Sequence, residues 1–287
     1  VANCELGVEI HNTPSVSIKN SRFYIEDNFA IKGLCLSSIE NAYVTNCEFR
    51  NYDTPFGAIY LNNVFDYTMR SGIVHFNDVG INATIGQNNI DMVNGATVAD
   101  NQNGILMEGG LAYGVLTMDC SNLLRNSIGV QGKDVFLNID ASGEVNTNHF
   151  ATSDANSLLF KVCYDALGGI VGNSIDAKNN YWENSILYEI ENAGLPGNGC
   201  GVLGGNMILN INPMATGPAT GCGTIGDVPN DPSNPDPDFT GNDPNCQMDP
   251  NQILYDQYFN AYSAYLVETH DEVNERTSSN NLYYGIA

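Results

Sequence analysis

The chain has 287 residues, with 10 Lys and Arg against 33 Asp and Glu, so its formal charge at pH 7 is -23. That balance excludes a nucleic-acid backbone or an anionic membrane surface as partner and leaves cations and neutral sugars open. Charged residues make up only 15% of the chain, and no apolar run approaches the roughly 20 residues that span a bilayer, so no membrane insertion is expected and the surface reads as rich in amides and hydroxyls.

The start, Val1-Ala2-Asn3-Cys4, has neither an initiator Met nor a charged stretch ahead of an apolar one, and is read as the interior of a longer protein. From there a repeat runs down the chain. A glycine opens a short apolar strand at Gly7, Gly33, Gly57, Gly80, Gly104 and Gly129, in steps of 26, 24, 23, 24 and 25 residues. A second phase interleaves with it: Asn20-Ser21-Arg22-Phe23 and Asn46-Cys47-Glu48-Phe49 lie 26 residues apart, and Gly72 to Phe76 and Asp119 to Leu123 look like degenerate copies. The strands are β-branched and aromatic, and the turns are Asn, Asp, Ser and Gly, which adopt left-handed conformations at low cost. A unit this small cannot bury its apolar face alone and must stack on copies of itself. No unit shows the frame or the helix of a leucine-rich repeat. The spacing therefore predicts an all-β parallel β-helix of about 25 residues per coil, with Phe23, Phe49, Phe76, Leu123 and Phe150 as an internal column.

These units resemble the right-handed parallel β-helix repeats of the pectate-lyase-like superfamily. Ile175 to Trp182 resembles the phrase that closes such helices in large secreted or surface proteins of Bacteroidota. The resemblance implies a secreted or cell-surface location, an adhesin-like or structural role, and the type IX secretion route, although no C-terminal sorting domain is recognisable. Tyr181 and Trp182, the latter the one tryptophan in the chain, are read as an end cap over the last coil, the alternative being a Trp that fills a late core position.

Three regions follow: a β-helix over 1–191, a Gly/Pro/Asp-rich loop over 192–248, and an amphipathic helix and tail over 249–287. In the loop, Asp227, Asp231, Asp236, Asp238 and Asp243 are weak Ca²⁺ candidates, against a solvated acidic linker, and no other cofactor is implied. A disulfide among Cys200, Cys222 and Cys246 suits a loop with little to bury, whereas the cysteines in apolar stretches read as small buried thiols. Asp249, Pro250 and Gln252 form a helix start, and apolar residues from Leu254 to Val273 recur at three and four.

No nucleotide, hydrolase or zinc motif is present. The catalytic candidates are the acids ahead of the glycine strands, Asp53, Asp78 and Asp100, with Asp27 before them, at offsets of 4, 2, 4 and 6 residues. Stacking alone brings acids on adjacent coils within ~5 Å, so closeness is weak evidence of chemistry, and Asx-turns account for these residues. Arg22, Arg50, Arg70 and Arg125 are isolated in sequence, with Arg22 and Arg50 outward, and His11, His75, His149 and His270 read as surface or turn residues. The expected function is a non-catalytic surface segment contacting glycans or other cell-surface proteins. The alternative is a polysaccharide lyase or glycosidase using the acidic line.

Overall fold

The structure is a computed structural model that describes residues 6–24, 32–109, 114–141, 147–154, 156–164, 174–183, 188–192, 205–206 and 208–217. The chain divides into two units, 1–238 and 239–287, and every described residue belongs to the first. The expected Ca²⁺ loop, the Cys200, Cys222 and Cys246 set and the C-terminal helix therefore lie outside the described residues.

The described residues form a parallel β-solenoid of about six turns. No helix among them is long and apolar enough to cross a membrane. Each full coil contributes to three walls. The first wall stacks the glycine-led strands, so that Leu34 lies against Ile59, Ile59 against Ile81, Ile81 against Ile105, Ile105 against Val130 and Val130 against Phe160, all in parallel register. The second wall stacks Val16, Ala42, Tyr67, Ile90, Leu116 and Leu137. Both walls belong to one 13-stranded sheet because two strands, Lys32–Thr45 and Ile59–Arg70, pass through the corner unbroken, bending at Ser38 (φ 55°) and Asn63 (φ 56°). The third wall is a seven-stranded sheet. Strand pairing continues past Glu191, where Ser174–Asp176 pairs with Ile208–Asn210 and Tyr188–Asn192 takes one antiparallel neighbour, Gly205–Asn206.

Inward residues of the three walls make one apolar core, most of it fully buried. The expected aromatic column is present with one correction. Its members are Phe23, Phe49, Val74, Val98, Leu123, Phe150 and Trp182, and Phe76 is not among them. Ser71 takes the left-handed corner position held by Asn46 one coil earlier, which puts Val74 in register with Phe49 and makes Phe76 the next left-handed corner residue (φ 53°). Phe23 stacks on Phe49, with centroids 4.5 Å apart.

The glycine period has a similar slip. Ala58, not Gly57, stands between Leu34's predecessor and Gly80, and Gly57 sits in the turn before it at φ 88°. At Gly104 and Gly129 the constraint is coil-to-coil approach: a Cβ on Gly104 would lie 2.5 Å from the Gly129 carbonyl, and one on Gly129 2.5 Å from that of Leu159.

The corner between third and first walls holds a buried amide ladder. Asn77 Nδ2 donates to Asn101 Oδ1 (2.8 Å), and Asn101 Nδ2 donates to Asn126 Oδ1 (2.9 Å). The same oxygens also accept backbone N–H groups, Asn101 Oδ1 that of Asn77 and Asn126 Oδ1 that of Asn101, while Asn101 Nδ2 and Asn126 Nδ2 also donate to the Val74 and Val98 carbonyls. A second, shorter ladder links Asn148 to Asn180 at the opposite corner. Each amide thus closes the backbone groups that a tight corner would leave unpaired.

Candidate functional site

The acidic line does not converge. Asp78 follows the ladder residue Asn77, and its amide donates to Tyr52 O, which places it in the coil position of Asp53. Asp100 instead occupies the left-handed corner two residues earlier (φ 54°), where Arg125 of the next coil grips it with Nε at 2.9 Å from Oδ1 and Nη2 at 2.8 Å from Oδ2. Its carboxylate is committed to a bidentate pair. Among the described residues no group of three or more His, Cys, Asp or Glu is placed to hold a metal.

The second wall presents an orderly outer surface. Ser17, Tyr43, Thr68, Asp91, Thr117 and Asn138 form one row along the axis, each bearing a hydroxyl, amide or carboxylate. Beside it run Asn41, Asp66 and Asn89, with Asn89 Nδ2 3.5 Å from Asp66 Oδ1. Tyr43 and Phe65 are 45% and 50% exposed, which leaves two aromatic faces in solvent at the edge of these rows. Burial pushes the Asp91 carboxyl up and the charge of Asp66 adds to this, against a hydrogen bond from Thr117 that lowers it; the net direction is upward.

The outer side of the third wall carries a cluster that the sequence reading did not assemble. Glu48 is buried at 2% exposure, with Oε2 3.0 Å from Arg22 Nε and Oε1 3.0 Å from His75 Nε2, and with Arg50 Nε 3.8 Å from Oε1. Arg22 and Glu48 share a register position, as do Arg50 and His75. Burial alone would raise the Glu48 pKa, but the His75 hydrogen bond and the charges of His75, Arg22 and Arg50 outweigh it and hold the carboxyl below its ordinary range. The outward Arg22 and Arg50 thus face an acid of their own wall, Glu48, whereas His75, read as a surface or turn residue, is fully buried. A signal existed: Arg22 and Glu48 both stand directly before the phenylalanine of an Asn-x-x-Phe unit. His75 is hidden in the sequence because Phe76 matches Phe49 by residue type while Val74 holds its register position.

On the first wall an open groove of about 440 Å³ runs between the outer rows Leu106, Gln131, Lys161, Glu189 and Glu108, Lys133, Cys163. Cys120 and Cys163 each take part in a disulfide bond, a correction for two cysteines in apolar stretches. Cys163 alternates with inward Val162 and so faces outward beside Lys133, away from the core. Cys35 and Cys47 are free and buried, as expected; burial raises both thiols, Cys47 to about 11, which makes them poor nucleophiles.

Tyr181–Trp182 is the terminal strand of the third wall, and Trp182 stacks on Phe150 with centroids 4.6 Å apart. The chain passes once more over the start of this strand, where the Ala215 amide donates to the Asn180 carbonyl at 3.0 Å. No protein family, curated protein or solved structure matches this chain.

Proposed function

We propose that this chain is a rigid, non-catalytic segment of a secreted or cell-surface protein, adhesin-like in role, that contacts glycans along its second wall. The observation that carries this reading is the row from Ser17 to Asn138, which repeats hydrogen-bonding side chains at the ~4.8 Å step of stacked coils, a spacing close to one sugar residue of an extended polysaccharide. Tyr43 and Phe65 add exposed rings suited to the apolar face of a sugar. The disulfides of Cys120 and Cys163 favour an oxidising, extracellular compartment. Membership of the right-handed pectate-lyase-like superfamily, of the surface type found in Bacteroidota, is part of the same proposal and rests on the sequence resemblance. Any role for Ca²⁺ at Asp231, Asp236, Asp238 or Asp243 is likewise a proposal.

A second reading, a carbohydrate-active enzyme, draws support from Asp66 and Asp91 rather than from Asp53, Asp78 and Asp100. Asp66 and Asp91 lie diagonally on adjacent coils of an open face, and a carboxyl with raised pKa beside a second acid is the arrangement an acid–base pair uses. One experiment separates the two. The chain is incubated with pectin, alginate and neutral polysaccharides, with and without Ca²⁺, while retention on the polymer, new reducing ends and unsaturated product are followed. Retention that Tyr43→Ala weakens, without turnover, is the expected result; turnover that Asp91→Asn abolishes reverses the ranking.

A further inference from the structure

Glu48 has two carboxylate oxygens and three neighbours that seek them. Oε2 serves Arg22 and Oε1 serves His75, both at 3.0 Å, which leaves Arg50 Nε at 3.8 Å, beyond a hydrogen bond. An ionised carboxylate only accepts, so Nε2 of His75 carries the hydrogen and the ring's other nitrogen is turned away from Glu48. That atom, Nδ1, is buried without a hydrogen-bond partner, and so is Arg50 Nε. Both nitrogens are enclosed, and the exposed part of the pair is the remainder of the Arg50 side chain, 15% exposed, so an anion would enter by displacing that side chain outward. Arg50 and His75 are direct register partners on the outer side of the same wall, one coil step of ~4.8 Å apart.

Buried polar atoms in native proteins are almost always paired, and two unpaired nitrogens on adjacent positions point to a missing group. A guanidinium Nε–H can only donate, which excludes a cation. An imidazolium carries hydrogens on both nitrogens and offers Nδ1 as a second donor once Nε2 is held by Glu48. Arginine with a second donor is a usual arrangement for planar or tetrahedral oxyanions. We propose that Arg50 and His75 form a binding site for one small oxyanion, a sulfate, phosphate or carboxylate group, with Glu48 and Arg22 fixing the two donors in place. The site lies on the third wall and stands whether or not the second wall binds glycans.

The test is the thermal unfolding midpoint of the whole chain in sodium sulfate against sodium chloride at matched ionic strength. The wild type shows a saturable rise with sulfate; Arg50→Gln weakens the apparent affinity at least tenfold, and Arg70→Gln, an exposed arginine on the second wall, leaves it unchanged. An equal rise in all three chains reports an adventitious ion only and overturns the site, as does a wild type that shows no saturable rise. Should Arg50→Gln not fold, isotope-labelled wild type is titrated with sulfate, and the Arg50 Nε–H and His75 ring resonances must move with a single affinity. Resonances that stay still refute the proposal.

Discussion

Inside the coils, Asn77, Asn101 and Asn126 bury their amides and leave no nitrogen or oxygen unpaired; outside the third wall, Glu48 and His75 are as enclosed, with the partly exposed Arg22 and Arg50 beside them, yet Arg50 Nε and His75 Nδ1 have no partner. The difference is one of geometry as much as of charge. An amide has donors and an acceptor on one rigid plane, so copies one coil apart interlock and each satisfies the next. A single carboxylate among three donors has lone pairs enough, but only Arg22 and His75 reach it at hydrogen-bond distance. The repeat therefore builds a closed network where it repeats faithfully, and leaves open capacity where one acid must serve unlike neighbours.

The sharpest way to break this contrast is Asn101→Leu. It strips partners from Asn77, Val74 O and Asn126 at once and should cost about 3–5 kcal/mol in urea unfolding. A loss no greater than at an exposed site would mean that the ladder contributes little. Glu48→Gln should cost about 3 kcal/mol, because it leaves guanidinium charge without its counter-ion. The same carboxylate sets a pH dependence. Its folded pKa is depressed, so its contribution is fully present above the unfolded carboxylate range and disappears as pH falls through the folded value; stability measured from pH 6 downward should fall more steeply in the wild type than in Glu48→Gln.

Trp182→Ala sharpens the comparison at the column's end. The indole is half-buried, so about 2 kcal/mol is expected, together with greater self-association in light scattering if the ring shields the edge of the third wall. Unchanged stability and no association would leave Trp182 without a capping role. Arg50→Gln is the smallest, at below about 1 kcal/mol, since Arg50 makes no hydrogen bond to Glu48. A large loss there would show that the outer cluster is as closed as the inner one.

The period of glycines and the Asn-x-x-Phe units made the stacking legible, because close coil-to-coil approach favours a missing Cβ at one phase, even though Ala58 and Leu159 hold that phase in two coils. Register within a coil was less legible. Gly57 and Phe76 matched the pattern by residue type while their neighbours Ala58 and, two residues back, Val74 held the positions, since a corner can absorb one or two residues without altering the apolar count. The ladder was missed although Asn77, Asn101 and Asn126 each stand three residues before Gly80, Gly104 and Gly129. Asparagine serves equally as a left-handed corner residue, and composition does not distinguish the two uses. The acidic line is uneven for a related reason: Asp53 and Asp78 share a coil position, but Asp100 belongs to the corner and is claimed by Arg125.

The two strands that run unbroken through a corner, Lys32–Thr45 and Ile59–Arg70, weld two walls into a single sheet over those coils. Torsion applied about the long axis there cannot hinge one wall against the other without tearing bonds on both. Further along, where the corner interrupts the strands, each wall can yield separately. The first described coil is broken at the same corner, into Leu6–His11 and Ser15–Lys19, so such a molecule would be stiffest over the two welded coils and more compliant on either side of them, a rod with a stiffened section rather than a uniform strut.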